Sequence, residues 1–315
     1  MPITRSGSLF AFGILFAAAL CSPLRADDKP ADNTAKLEKS QFIRIVRDEL
    51  KRPLTMETAI VRYVPTDEKK PGPIVDLIAA VHVGEKKYYE QLNQEFANYD
   101  SLLYELVAPK GTKVPKKAGA TGSPVSALQI WMKNTLNLEF QLEQIDYHAS
   151  NFVHADMSPE DFSKSMKNLN ESPVSMFLKL MQASMAQQNQ KPVNNMLMMA
   201  ALFDRKEGPL VLKQIMADQL DGADTMLEAL NGPEGSTLVT ERNKFALKVL
   251  GEEATQGKKR LAIFYGAAHM TDMEKRLLEQ LPLKRTETRW LAAWDLKAPA
   301  KTPAAPDVEK KSESK

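Results

Sequence analysis

The run Ile74-Val-Asp-Leu-Ile-Ala-Ala-Val-His-Val83 places the tightest constraint on the fold, because it is apolar almost without interruption. A strand with one wet face alternates. A run of this kind needs cover on both faces, so it belongs near the centre of a sheet. Residues 55–63 alternate and are rich in β-branched types, as a half-buried neighbouring strand should be. After the central run, residues 85–99 carry Tyr88, Leu92 and Phe96 at helical spacing, and residues 101–107 return to an extended apolar pattern. This is a βαβ unit. The same alternation returns late in the chain, with a helix expected over 241–253, a strand over 260–265, a helix over 271–281 and a strand over 286–296. The fold class is therefore α/β (α+β), a central mixed sheet formed by the N- and C-terminal segments.

Between these halves, residues 124–232 are dominated by Met, Gln, Asn and Leu and read as a large Met-rich helical insertion. Ser158-Pro-Glu-Asp161 is a helix start, with Ser158 as N-cap and Pro159 in the first turn. Met176, Leu180 and Ser184, then residues 196–202, form apolar faces that suit either flexible core packing or an adaptable groove for extended peptides or lipid. Residues 27–39 and 297–315 are polar and charged without periodicity, so they are expected to be disordered and to flank a domain of residues 40–296.

Arg5 followed by the apolar run 9–20 has the form of a secretory signal covering residues 1–26, with cleavage after Ala26. Leu20 is too large to precede a lipidated Cys21, so a soluble periplasmic or secreted product is expected in preference to a lipoprotein. No later run is long enough for a transmembrane span. The leader holds two arginines and no acid, and without it the 42 basic residues become 40 against 40 acidic ones. A neutral chain lacks the counterion-release drive for nucleic acid. The one cysteine is lost with the leader or lipidated, which excludes a disulfide framework and thiol chemistry in the mature chain.

Four histidines remain to be weighed. His82 ends the central apolar run, and His269 follows the strand expected over 260–265, in Gly266-Ala-Ala-His269. In open α/β sheets ligands sit at the carboxyl ends of strands, so two histidines in matching positions can face one crevice. Singly, each is as well explained as a structural residue. Glu105 interrupts the apolar stretch 102–107, where a carboxylate needs a cation, a hydrogen bond or a metal. Arg242-Asn243 precede the second histidine strand. Arg242 alone suits a solvated helix charge; in a site it would pair with a carboxylate or hold developing negative charge. His148, His154 and Asp156 lie in the polar stretch 145–156 and either extend the site or merely cap helices. No Gly-x-Ser-x-Gly elbow, phosphate-binding glycine loop or His-Glu-x-x-His helix is present, and the Gly-Ser of Thr121-Gly-Ser-Pro124 lies in a loop-like stretch.

Taken together, Ala79-Ala-Val-His82, Glu105-Leu106, Arg242-Asn243 and Gly266-Ala-Ala-His269 resemble the motifs of the TraB/GumN/PrgY superfamily, which includes the Tiki metalloproteases. Ala79 stands where that pattern has glycine. The resemblance implies a sheet core with a helical insertion and, for Tiki-like members, a divalent metal used in peptide hydrolysis. His82, Glu105 and His269 would then be the ligands, of types that suit Mn, Co or Zn. The metal would activate a water, Glu105 would serve alternatively as base, and Arg242 would steady the oxyanion. A metal-dependent hydrolase of the cell envelope, acting on a peptide or protein, is one expectation. The alternative is a non-catalytic envelope protein that binds iron, haem or a peptide, as a related ChaN-type fold suggests.

Overall fold

The structure is a computed structural model that describes residues 42–70, 72–114, 133, 135–172, 174–175, 178, 195–220, 231 and 235–298. The leader with Cys21, the segment 27–39, most of the C-terminal tail, the Thr121-Gly-Ser-Pro124 stretch and Met176, Leu180 and Ser184 lie outside these residues.

A mixed sheet forms the centre. Its strands are β1 (Ile43–Arg47), β2 (Pro53–Pro65), β3 (Ile74–Ala80), β5 (Ser101–Tyr104), β7 (Phe152–His154), β8 (Arg260–Gly266) and β9 (Leu283–Asp295). The two-residue strands β4 (Val83–Gly84) and β6 (Glu139–Phe140) pair only with each other. The main order is β1-β2-β3-β8-β5-β7, with β9 on the other side of β2. Strands β1, β3 and β9 run antiparallel to β2. Strands β3, β8, β5 and β7 are parallel to one another, so their carboxyl ends share one edge of the sheet.

The helices are α1 (Lys86–Phe96), α2 (Gln141–Gln144), α3 (Pro159–Asn168), α4 (Asn195–Phe203), α5 (Gly208–Leu220), α6 (Arg242–Thr255) and α7 (Met270–Gln280). The continuous apolar character of the central run has its cause in the two layers that cover it. Val75, Leu77 and Ala79 of β3 pack with Ala246 and Leu250 of α6 and Met270, Met273 and Leu277 of α7. Ile78 and Ala80 pack instead with Tyr88, Tyr89, Leu92 and Phe96 of α1. Strand β8 divides in the same way, with Leu261, Ile263 and Tyr265 on one face and Ala262 and Phe264 on the other. Burial of each large apolar side chain contributes about 1.5–3 kcal/mol, so this double cover anchors the sheet edge that the parallel strands present.

Three expectations need correction. The insertion is not wholly helical: β6 interrupts it, and Phe152-Val153-His154 joins the main sheet as β7. Strand β5 stops at Tyr104, which leaves Glu105 just beyond the strand end. Strand β9 begins at Leu283 and runs for 13 residues, because its long antiparallel pairing with β2 overrides a charged sequence. Ser158 caps α3 as expected, its hydroxyl accepting from Asp161 N at 3.1 Å. Among the described residues no helix is long and apolar enough to cross a membrane.

The insertion is tied to the sheet beside the first histidine. Lys213 of α5 donates to Glu85 at 2.7 Å, and Trp294 of β9 donates to the Val83 carbonyl at 2.7 Å. Arg47 of β1 meets Asp218 of α5. On α4, Met196 and Phe203 are exposed.

Candidate functional site

The parallel strands deliver one chemically active residue each. His82 follows β3, Glu105 follows β5, Asp156 follows β7 and His269 follows β8. These strands are consecutive neighbours in the order β3-β8-β5-β7, so the residues converge along one edge. Arg242 completes the group from the start of α6. A π-helical turn at Thr237–Glu241, capped by the Ser236 hydroxyl, leads into α6, and Arg242 and Asn243 are both buried. Such turns recur where a helix must present residues to a site.

Arg242 organises the cluster. Its Nε and Nη2 donate to the two oxygens of Asp156 at 2.9 and 2.6 Å, and Nη2 also donates to Glu105 Oε1 at 2.7 Å. Among the described residues Nη1 has only long contacts, 3.5 Å to the Leu238 carbonyl and 3.4 Å to His269 Nε2. The other carboxylate oxygen, Glu105 Oε2, accepts from the Gly266 amide at 2.7 Å. The close approach of this carboxylate favours glycine in Gly266-Ala-Ala-His269, since a Cβ there would stand 3.3 Å from Glu105 Oε2, tighter than an ordinary contact. Ala79 faces no such demand: its side chain packs in the core against the α6 and α7 layer.

Both histidines are held by amides. His269 Nδ1 lies 2.7 Å from Asn243 Oδ1, and its ring meets Tyr265 edge-on with centroids 5.2 Å apart. His82 Nδ1 lies 3.3 Å from Gln141 Oε1, and the Gln141 amide nitrogen donates to Tyr147 at 2.8 Å. Gln141 N also donates to the His82 carbonyl at 3.0 Å. Sequence reasoning missed Gln141; the polar residues clustered after it, through Tyr147, were the available signal. His269, Glu105, Asp156 and Arg242 are buried, whereas His82 is only partly buried.

The charges follow from this burial. Desolvation lowers His269 to about 4, with the attraction of Glu105 only partly opposing it, and lowers His82 for the same reason. Both imidazoles are therefore neutral near pH 7. Burial is the strongest single influence on Glu105 and would raise it, but the Arg242 guanidinium, the two histidines and the Gly266 amide together outweigh it and hold the carboxyl well below its ordinary range. Arg242 is raised well above its usual value by the two carboxylates despite desolvation.

His148 and His154 do not extend this group. His148 Nε2 is 3.0 Å from the Val114 carbonyl and His154 Nε2 is 2.6 Å from the Leu106 carbonyl, so Nε2 of each ring is used on backbone. Asp156, from the same stretch, is the anchor of Arg242.

The donor types expected for Mn, Co or Zn are present, but their arrangement does not suit a metal. His269 Nε2 and Glu105 Oε1 are 3.6 Å apart, within the range two ligands of one ion can span. Arg242 already places a full positive charge against that same oxygen, and among the described residues no three His, Cys, Asp or Glu side chains group around one point. Comparison with family models, with curated proteins and with solved structures gave no match.

Proposed function

We propose that this chain is a hydrolase of peptide-type or other acyl substrates in the cell envelope, with its chemistry at the strand-end crevice between His82, Glu105, Arg242 and His269. One observation carries the reading. Four neighbouring parallel strands and a helix start bring two neutral imidazoles, two carboxylates and a guanidinium together at the sheet edge where ligands bind. Fold stability does not call for such a cluster, because buried ion pairs are often replaced by apolar residues without loss, and perturbed titratable groups concentrate at functional sites. The resemblance to the TraB/GumN/PrgY superfamily rests on these residues and supports hydrolysis. The signal-like leader supports the compartment.

In this reading His82 is the general base. It is neutral and partly exposed, so a water can reach it. The water attacks the substrate carbonyl carbon as its proton passes to His82, and the imidazolium returns that proton to the leaving amine as the carbon–nitrogen bond breaks. Glu105 is a poor base because Arg242 stabilises its charged form. Arg242 Nη1, whose contacts among the described residues are long, is the donor for the developing oxyanion. Asp156, Glu105 and His269 hold the guanidinium in place. Arg242 thus supplies the positive charge that a metal supplies in metallohydrolases, so no step is assigned to an ion.

The test is hydrolysis of a broad peptide library and simple esters by the full chain, with and without chelator, beside metal analysis of the protein. Turnover that survives chelation and is lost in His82→Ala is expected. A stoichiometric metal whose removal abolishes turnover would replace this mechanism with a metal-dependent one, and the absence of turnover on every acyl substrate would sink the hydrolase reading.

A further inference from the structure

The amide of Asn243 can be oriented without ambiguity. Its nitrogen donates to the His269 carbonyl at 3.0 Å and to Asp272 Oδ2 at 2.8 Å, and both are atoms that only accept. Rotating the amide would set its oxygen against two other oxygens. Oδ1 must therefore be the atom 2.7 Å from His269 Nδ1, and that nitrogen must carry the proton. Asp272 is in turn fixed by Arg276 one helical turn further along α7, through Nε to Oδ2 at 2.8 Å and Nη2 to Oδ1 at 3.0 Å. Position in the first turn of α7 also favours a carboxylate there.

We infer that Asp272 is a positioning residue, which with Arg276 locks the Asn243 amide and so sets His269 as the Nδ1–H tautomer, its Nε2 lone pair turned to Arg242. The consequence lies at Arg242. In this tautomer Nε2 can accept from Nη1 at 3.4 Å, which orients the donor face of the guanidinium. The other tautomer would turn an N–H towards the guanidinium, and its nearest carboxylate oxygen, Glu105 Oε1, is 3.6 Å away, too far for a good hydrogen bond. The importance of this lock for turnover rests on the hydrolase reading; the lock itself does not.

The experiment reads the tautomer without any substrate. In the full chain labelled with nitrogen-15 and held at pH 8, long-range proton–nitrogen correlations report both ring nitrogens of each of the four histidines. His269→Gln identifies the His269 signals. The expected wild-type pattern for His269 is a protonated Nδ1 and an unprotonated Nε2. Asp272→Ala, which leaves the His269 carbonyl as an acceptor for the Asn243 amide, should bring the two nitrogens part of the way towards a shared averaged position, Asp272→Glu should restore the split, and Arg276→Gln should reduce it by less. A wild-type His269 protonated on Nε2, or an unchanged split in folded Asp272→Ala, would overturn the inference. Should Asp272→Ala fail to fold, the wild-type pattern and Arg276→Gln decide, with an unchanged split in Arg276→Gln counting against it. Hydrolysis is assayed separately, so a protein with the expected tautomer and no turnover refutes the catalytic reading alone.

Discussion

The two ends of the parallel strands hold similar ionic groups in different settings. At the carboxyl end an arginine grips a buried aspartate by two nitrogens, and at the amino end Arg62 does the same to Asp76 of β3, at 2.9 and 2.8 Å. Each arrangement also includes a second carboxylate: Glu105 at one end, and at the other Glu95, reached through Tyr99 and held by Arg289. Their exposure separates them. The side chains of Arg62 and Arg289 are 29% and 37% exposed, whereas Arg242 is 4% exposed. The amino-end group keeps its cations in contact with water and contains no histidine, so it serves as a clamp between β2, β3, α1 and β9. The carboxyl-end group is desolvated and has two neutral imidazoles beside it. A cavity of about 440 Å³ lined by Asn93, Phe96, Tyr99, Asp146, Asn151 and Phe152 opens near the amino ends of β5 and β7, and it includes none of the proposed site residues. That cavity carries no titratable cluster of the kind at the carboxyl end, so the chemistry and not this cavity locates the site.

Removing the central cation should give the largest effect. Arg242→Met leaves Glu105 and Asp156 buried without a counter-charge and should cost about 3–5 kcal/mol of stability, read from urea unfolding, along with all turnover. The counterpart Arg62→Met should cost less, about 1–2 kcal/mol, because Tyr99 still donates to Asp76 and solvent reaches the gap. Equal losses would break the distinction between site and clamp.

The next effect is a pH dependence. His269 is lowered by burial to about 4 in the folded chain, against an ordinary value of 6.5. Between those values the unfolded chain binds a proton that the folded chain excludes, so stability rises with pH across this window and levels above it. The span amounts to roughly 3 kcal/mol. Unfolding midpoints at pH 4.5 and 7 should differ less in His269→Gln than in wild type, while Arg62→Met should retain the wild-type slope. A slope unchanged by His269→Gln would show that this imidazole is not held neutral by burial.

Much of this contrast was legible in the sequence. The unbroken apolar run in β3 demanded cover on both faces, and a histidine where such a run ends stands where loops meet a ligand. Glu105 and Arg242 showed because charges within apolar patterns need partners. Asp156 could be singled out, but its partnership with Arg242 spans 86 residues and leaves no local periodicity. Strand β7 has only three residues, with Phe and Val beside a histidine, and its place follows from pairing with β5 rather than from its own propensity. Gln141 and Asp272 escaped because each acts through a second side chain.

The smallest effect tests whether exposure truly divides the two ends. Arg289 donates to Glu95 through two nitrogens at 2.9 and 2.6 Å, a geometry as good as that of Arg242 on Asp156. Hydrogen bonding from Arg289 is the main cause that lowers the Glu95 carboxyl, so the contribution is present above its ordinary value and is lost as pH falls through the lowered one. Because Arg289 is 37% exposed, Arg289→Gln should cost no more than about 1 kcal/mol at low salt. At 1 M salt the Debye length falls to about 3 Å, and that loss should shrink towards zero. The loss in Arg242→Met should persist under the same conditions, since ions cannot enter a desolvated cluster. If both losses fade together, the carboxyl-end charges are wetter than their burial implies, and the neutral histidines that support the hydrolase reading lose their physical basis.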